Sequence, residues 1–280
     1  EIEDLGGVVP HDFISEDYEY RVLDVTLGPG WKGGSEGLAL VGRVGELYEL
    51  ILDCPDIDEN ALAHLKKLRR LDGVTLKRMA VTDAGLCHLG GVRGLRLLSF
   101  DGTRVTDVGL QHLADHNLTW LIVENDSQIT DAGLAHLAGM TNLICLRLPG
   151  TEATGTGLTK LHKLVRLREL ALPGADVDDA ALKHLAGFKK LRLLDLSGTR
   201  VTGAGLARLA DLPQLEVLTL DNTSFGDDDL QHLAQLESLV VLSLEGTDAT
   251  PASIKALKKP KKLRTVLLDG RQIAGPASRP

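Results

Sequence analysis

Hydrophobic residues recur along this chain on a fixed comb. Segments of the form L-x-x-L-x-L begin at Val22, Leu47, Leu71, Leu95, Leu118, Leu143, Leu167, Leu191, Leu215 and Leu239, with a truncated one at Leu263. In the segment from Leu191, the residues Leu191, Leu194 and Leu196 have strand-like spacing. Val201, Leu206, Leu209 and Leu212 follow, the last three spaced as on one face of a short helix. Between strand and helix sits SGTRVTGAG, a turn followed by a helix start. In sister segments Thr82, Thr106 and Thr130 precede the helix, with Asp83, Asp107 and Asp131 just after. That is an N-cap followed by an acidic first turn facing the helix dipole.

The stretch VTDAGLCHL (81–89) places Asp83, Cys87 and His88 together, as a catalytic or metal site would. Related stretches recur at 105–113, 129–137, 177–185 and 201–209, on a 24-residue spacing. A structural unit that stacks on its own copies recurs this way, and a catalytic stretch has no reason to. Each coil is one strand, a turn and a short returning helix. No single coil can bury its leucines on both sides, so the coils must stack. Parallel strands about 4.8 Å apart, right-handed crossovers and bulkier helices outside predict a bent stack with the sheet on its concave wall.

The pattern LxxLxLxGTxVTDxGLxHL resembles the leucine-rich repeat family, and within it bacterial repeats related to the cysteine-containing class of F-box proteins. The resemblance spans about residues 22–270 in ten coils. It implies an α/β right-handed solenoid, or horseshoe, with a parallel concave sheet and convex short helices. At the slot after the strand, where the family commonly has Asn or Cys, this chain has Thr103, Thr151, Thr199, Thr223 and Thr247. We expect these hydroxyls to form a threonine ladder between coils. Residues 1–21 lie off the comb and are expected to cap the first coil, anchored by Val8–Val9 and Phe13. Residues 22–270 form the solenoid, and 271–280 are expected to be a loose tail.

Composition narrows the function. The net charge is −8 and aromatic residues are 3% of the chain, which points away from nucleic acid and anionic lipid as partners. No run of 18 apolar residues predicts a membrane span. Three cysteines in different coil positions predict no disulfide and slightly favour the cytoplasm. Because residue 1 is Glu, export and further upstream domains stay open.

GPGWKG (28–33) matches G-x-G-x-x-G, but the repeat already accounts for it. His64, His88, His112, His136, His184 and His232 share one slot that also takes Lys160 and Arg208, as a solvated helix flank would. No acid keeps a constant spacing to orient them as metal ligands. We therefore expect no enzyme, no metal and no cofactor.

The outward strand slot before the second leucine reads Asp24, Glu49, Gly73, Leu97, Trp120, Cys145, Glu169, Leu193, Val217, Val241 and Thr265. A parallel row after the third leucine is largely acidic. The comb also breaks at one place: Leu95 to Leu118 is 23 residues and Leu118 to Leu143 is 25. A partner-binding centre is expected there at Trp120, with Leu97, Ile122, Cys145 and Arg147 beside it and Asp101 and Glu124 along the edge. The expected molecule is a monomeric scaffold for a protein or peptide carrying basic and apolar groups. The alternative is a recognition subunit or effector serving a separate enzyme such as a ubiquitin ligase, although no F-box segment is found.

Overall fold

A computed structural model describes residues 2–8, 23–44, 47–124 and 128–278. They fall into two compact units, Glu1–Gln128 and Ile129–Pro280. In the first unit the strands are β1 (Gly7–Val8), β2 (Leu23–Leu27), β3 (Leu47–Leu52), β4 (Gly73–Lys77), β5 (Leu97–Asp101) and β6 (Trp120–Glu124). Its helices are α1 (Gly34–Val41), α2 (Asp83–Leu89) and α3 (Asp107–Gln111), with a 3-10 segment at Glu59–Lys67. Strands β2 to β6 pair in parallel, and β1 runs antiparallel against β2. The second leucine of each coil lies in register with its neighbours, Leu50 with Val74, Leu98 and Leu121, and all are fully buried.

The second unit repeats the plan with β7 (Cys145–Arg147), β8 (Glu169–Ala171), β9 (Leu193–Asp195), β10 (Val217–Thr219), β11 (Val241–Ser243), β12 (Thr265–Leu268) and β13 (Arg271–Ala274). Strands β7 to β12 are parallel, and they align Leu146, Leu170, Leu194, Leu218, Leu242 and Val266 as a buried column. Its helical segments are α4 (Asp131–Leu137) and α5 (Gly155–Leu158), then 3-10 segments at 159–163, 181–185, 203–211 and 227–235, and last α6 (Pro251–Ala256). A short helical segment thus follows each strand from β2 to β11 in both units, as the periodicity predicts.

The VTDxGL motif is built for stacking. Thr82, Thr106, Thr130, Thr154 and Thr202 are N-caps, each hydroxyl accepting from the backbone N–H two residues on. The acid that follows one cap binds the cap of the next coil. Asp83 accepts from the Thr106 N–H at 2.8 Å and from its hydroxyl at 2.7 Å. Asp131 does the same to Thr154, Asp179 to Thr202 and Asp227 to Thr250. Glu59 reaches the Thr82 N–H at 2.6 Å and its hydroxyl at 2.8 Å.

The motif glycine makes room for that carboxylate. A Cβ at Gly109 would lie 2.5 Å from Asp83 Oδ1, one at Gly157 2.4 Å from Asp131 Oδ1, and one at Gly205 2.4 Å from Asp179 Oδ1. Where the acid is missing, so is the glycine: Gly155 stands in the acid slot and the next coil carries Ala181, whose Cβ fills the space. Likewise Gly203 faces Asp229, which turns back to accept from the Gly226 N–H at 2.9 Å.

Three expectations need correction. The threonine ladder lies at the caps. At the slot where it was expected, Thr199, Thr223 and Thr247 donate within their own coils, to the carbonyls of Leu196, Leu220 and Leu244. Thr151 differs: its hydroxyl donates to the Ile129 carbonyl of the preceding coil at 2.6 Å. The expected loose tail contains β13, paired antiparallel with β12 through Asp269–Gly270. Both turn residues have positive φ, as a tight hairpin turn requires. Of the expected cap, residues 9–21 with Phe13 lie outside the described residues, and Val8 is exposed rather than anchoring.

Candidate functional site

In the first unit, strand register sets five outward positions in one row: Asp24, Glu49, Gly73, Leu97 and Trp120. Trp120 is 39% exposed, among the few large apolar side chains open to solvent. Leu97 beside it is half-buried, and so is Ile122 on the next outward row. Asp101 pairs in register with Glu124 at the far end of β5 and β6, and the Gly102 N–H donates to the Glu124 carbonyl at 3.0 Å. Five of the seven expected residues, Leu97, Trp120, Ile122, Asp101 and Glu124, therefore share one strand face.

Cys145 and Arg147 belong to the second unit and do not form the surface expected of them. Cys145 is fully buried, and Arg147 pairs with Glu169 on the neighbouring strand. Burial pushes the Cys145 thiol up to about 12, with the Glu169 charge adding to it. Slot parity alone makes Cys145 outward; the ion pair folded beside it closes the position. The reshaped turn expected after Glu124 falls partly on residues 125–127, outside the described residues.

The row also contains a feature not anticipated as part of the site. Gly73 has no side chain where its neighbours have large ones, and it leaves a cleft of about 290 Å³. Asp24, Tyr48, Glu49 and Leu97 line it, with Asp72 held by Arg96 at 2.8 Å. A Cβ on Gly73 would sit 3.2 Å from Glu49 Cγ. Asp24 Oδ1 is buried and has no hydrogen-bond partner among the described residues. Burial raises the Asp24 carboxyl above its ordinary range, and burial with repulsion from Asp24 and Asp72 raises Glu49. The sequence signal was present as a single glycine in an otherwise side-chain-bearing row.

The other chemistry signals resolve into packing. Within GPGWKG the Trp31 ring covers Gly33 and Gly37, where a Cβ would meet it at 2.3 and 2.5 Å. The Lys32 N–H donates to the Leu5 carbonyl at 2.8 Å, which ties this turn to the N-terminal residues. Five of the slot-sharing histidines are half-buried on helical flanks and His112 is exposed. Among the described residues no cluster of three metal-ligating side chains occurs, and no helix is long and apolar enough to cross a membrane. The three thiols are free.

No family model and no curated protein sequence matches the chain. Solved structures do. An internalin (inlF) from Listeria monocytogenes is 21% identical with a TM-score of 0.63, over 82% of this chain and 69% of that one. Internalin C2 (inlC2) from the same organism is 22% identical with a TM-score of 0.51, over 76% and 84%. TLR13, solved with ssRNA13, is 20% identical with a TM-score of 0.57, and the match spans 81% of this chain but 36% of TLR13. With its repeated strand–turn–helix coils and parallel strands, the chain has the leucine-rich-repeat fold.

Proposed function

We propose that the chain is a non-enzymatic scaffold that binds a protein or peptide on the strand face of its first unit. One observation carries the reading: an exposed tryptophan shares an outward row with a carboxylate-lined cleft. Trp is the residue most enriched at interface hot spots. A cleft of about 290 Å³ is at the small end for a drug-sized ligand, which fills roughly 300–1,000 Å³. It suits one side chain of a larger partner. Carboxylates that are costly to hold charged beside one another favour a cation between them, so the side chain the cleft suits is Lys or Arg. Trp120, Leu97 and Ile122 would take apolar groups next to it, with Asp101 and Glu124 along the rim.

Selection from a random peptide display library on the 280-residue chain tests this. Selected peptides should combine basic with apolar residues, and Trp120→Ala should weaken them by at least about 2 kcal/mol without lowering Tm. Acidic selected peptides, or binding indifferent to Trp120→Ala, would remove the reading.

A further inference from the structure

A second surface, in the second unit, has the opposite charge. From Lys255 to Arg264 the chain carries six basic residues, and no acid occurs between Asp248 and Asp269. The apolar positions of this segment turn inward: Ile254, Pro260 and Leu263 are buried. Lys255, Lys258, Lys259, Lys261, Lys262 and Arg264 are all exposed. Clefts of about 460 and 440 Å³ open beside Lys259, one lined with Lys261 and Lys262 on its basic side and Glu237 on the other, the second with Lys258 and, from the preceding coil, Asp227.

The repeat supplies its own control. Residues 258–264 carry five cations, whereas the equivalent turn at 234–240 carries only Glu237 and that at 210–216 carries Asp211 and Glu216. Residues 186–192 carry three, Lys189, Lys190 and Arg192. Stacking therefore does not call for lysine at these positions. A chain of net charge −8 has no general attraction for anions, so any such attraction must come from local basic turns, of which this is the most basic. The equivalent turn at 66–72 carries Lys66, Lys67, Arg69 and Arg70 beside Asp72.

We infer that the 255–264 turn is a docking surface for an anionic lipid membrane, making peripheral electrostatic contact with its headgroups. The cations are mostly lysines, compact hydrated charges suited to a diffuse anionic surface, where arginine would supply forked recognition of single groups. Clusters of four to eight basic residues are of the size that anionic bilayers attract. Single-stranded nucleic acid wants aromatic platforms, and no aromatic residue follows Phe225. A long duplex would run from the patch onto Glu237 and Asp211, whereas a flat bilayer can touch the turn alone.

Co-sedimentation of the intact chain with vesicles decides it. Vesicles of phosphatidylcholine plus phosphatidylserine should bind the chain at low salt and release it at high salt, and phosphatidylcholine alone should not bind. Combined Lys258→Gln, Lys259→Gln, Lys261→Gln and Lys262→Gln should lower the bound fraction at least about fivefold, with the thermal melt unchanged. Lys189→Gln with Lys190→Gln should leave binding intact. Equal binding to neutral vesicles would overturn the inference. So would equal loss in the Lys189/Lys190 control, or tighter binding to single-stranded RNA or polyglutamate than to the anionic vesicles.

Discussion

The outward slot before the second leucine is occupied in both units by the same backbone geometry and to different ends. In the first unit the slot gives Leu97 and Trp120, paired across β5 and β6 and flanked by the cleft over Gly73. In the second it gives Val217 and Val241, paired across β10 and β11 and both half-buried. Where a charge occurs there, at Glu169, Arg147 neutralises it. Inward slots are interchangeable between the units; outward slots are not. The repeat fixes where a side chain points, and the free positions carry what is individual about the molecule.

The largest expected effect tests the sameness of the inward slots. Leu98 and Leu194 are both fully buried, and replacing either by Ala should cost about 2–5 kcal/mol in urea unfolding. A cost below about 1 kcal/mol at one of them would mean that the two stacks are not packed alike. Next comes the difference between outward slots. Against the display-selected peptide, Trp120→Ala should lose at least about 2 kcal/mol while Val241→Ala stays within about 0.5 kcal/mol of the parent. Equal losses would erase the contrast between the faces.

The stacking device can be broken and repaired. Gly109→Ala puts a Cβ against Asp83 Oδ1 and should destabilise by about 1–3 kcal/mol. Adding Asp83→Gly should recover part of that loss, because the chain itself pairs Gly155 with Ala181. A double-mutant cycle with no coupling would show that the glycine serves another purpose.

The smallest effect is on pH dependence. Asp24 and Glu49 have raised folded-state values, caused first by burial. Such a group favours folding below its unfolded pKa, and that contribution is lost as pH rises through the folded value. Glu49→Gln should therefore gain in Tm relative to the parent between about pH 4 and about pH 7, while binding the basic peptide less well at the upper end. A constant Tm difference across that range would mean that Glu49 carries no burial penalty.

Much of this was legible from leucine spacing: the coil register, the strand rows, the cap threonines and the shared strand face of Leu97, Trp120, Ile122, Asp101 and Glu124. The role of Asp83 was not, because a single coil explains it locally as a helix-dipole partner. Its bonds to Thr106 exist only between coils. A trace was nonetheless present in the paired exceptions Gly155 with Ala181 and Gly203 with Asp229. The hairpin at Asp269–Gly270 was also readable, since D-G between apolar runs is a strong turn signal. Burial of Cys145 was not, because parity gives the direction of a side chain and says nothing of an ion pair on the next strand.

The account rests on Trp120 being open to solvent until a partner covers it. Trp31 is the only other tryptophan in the chain, so Trp31→Phe leaves Trp120 as the sole reporter. In that background acrylamide should quench the Trp120 fluorescence readily in the free chain and much less with the selected peptide at saturation. Quenching that is weak in the free chain, or identical with and without peptide, would contradict the placement of the binding surface.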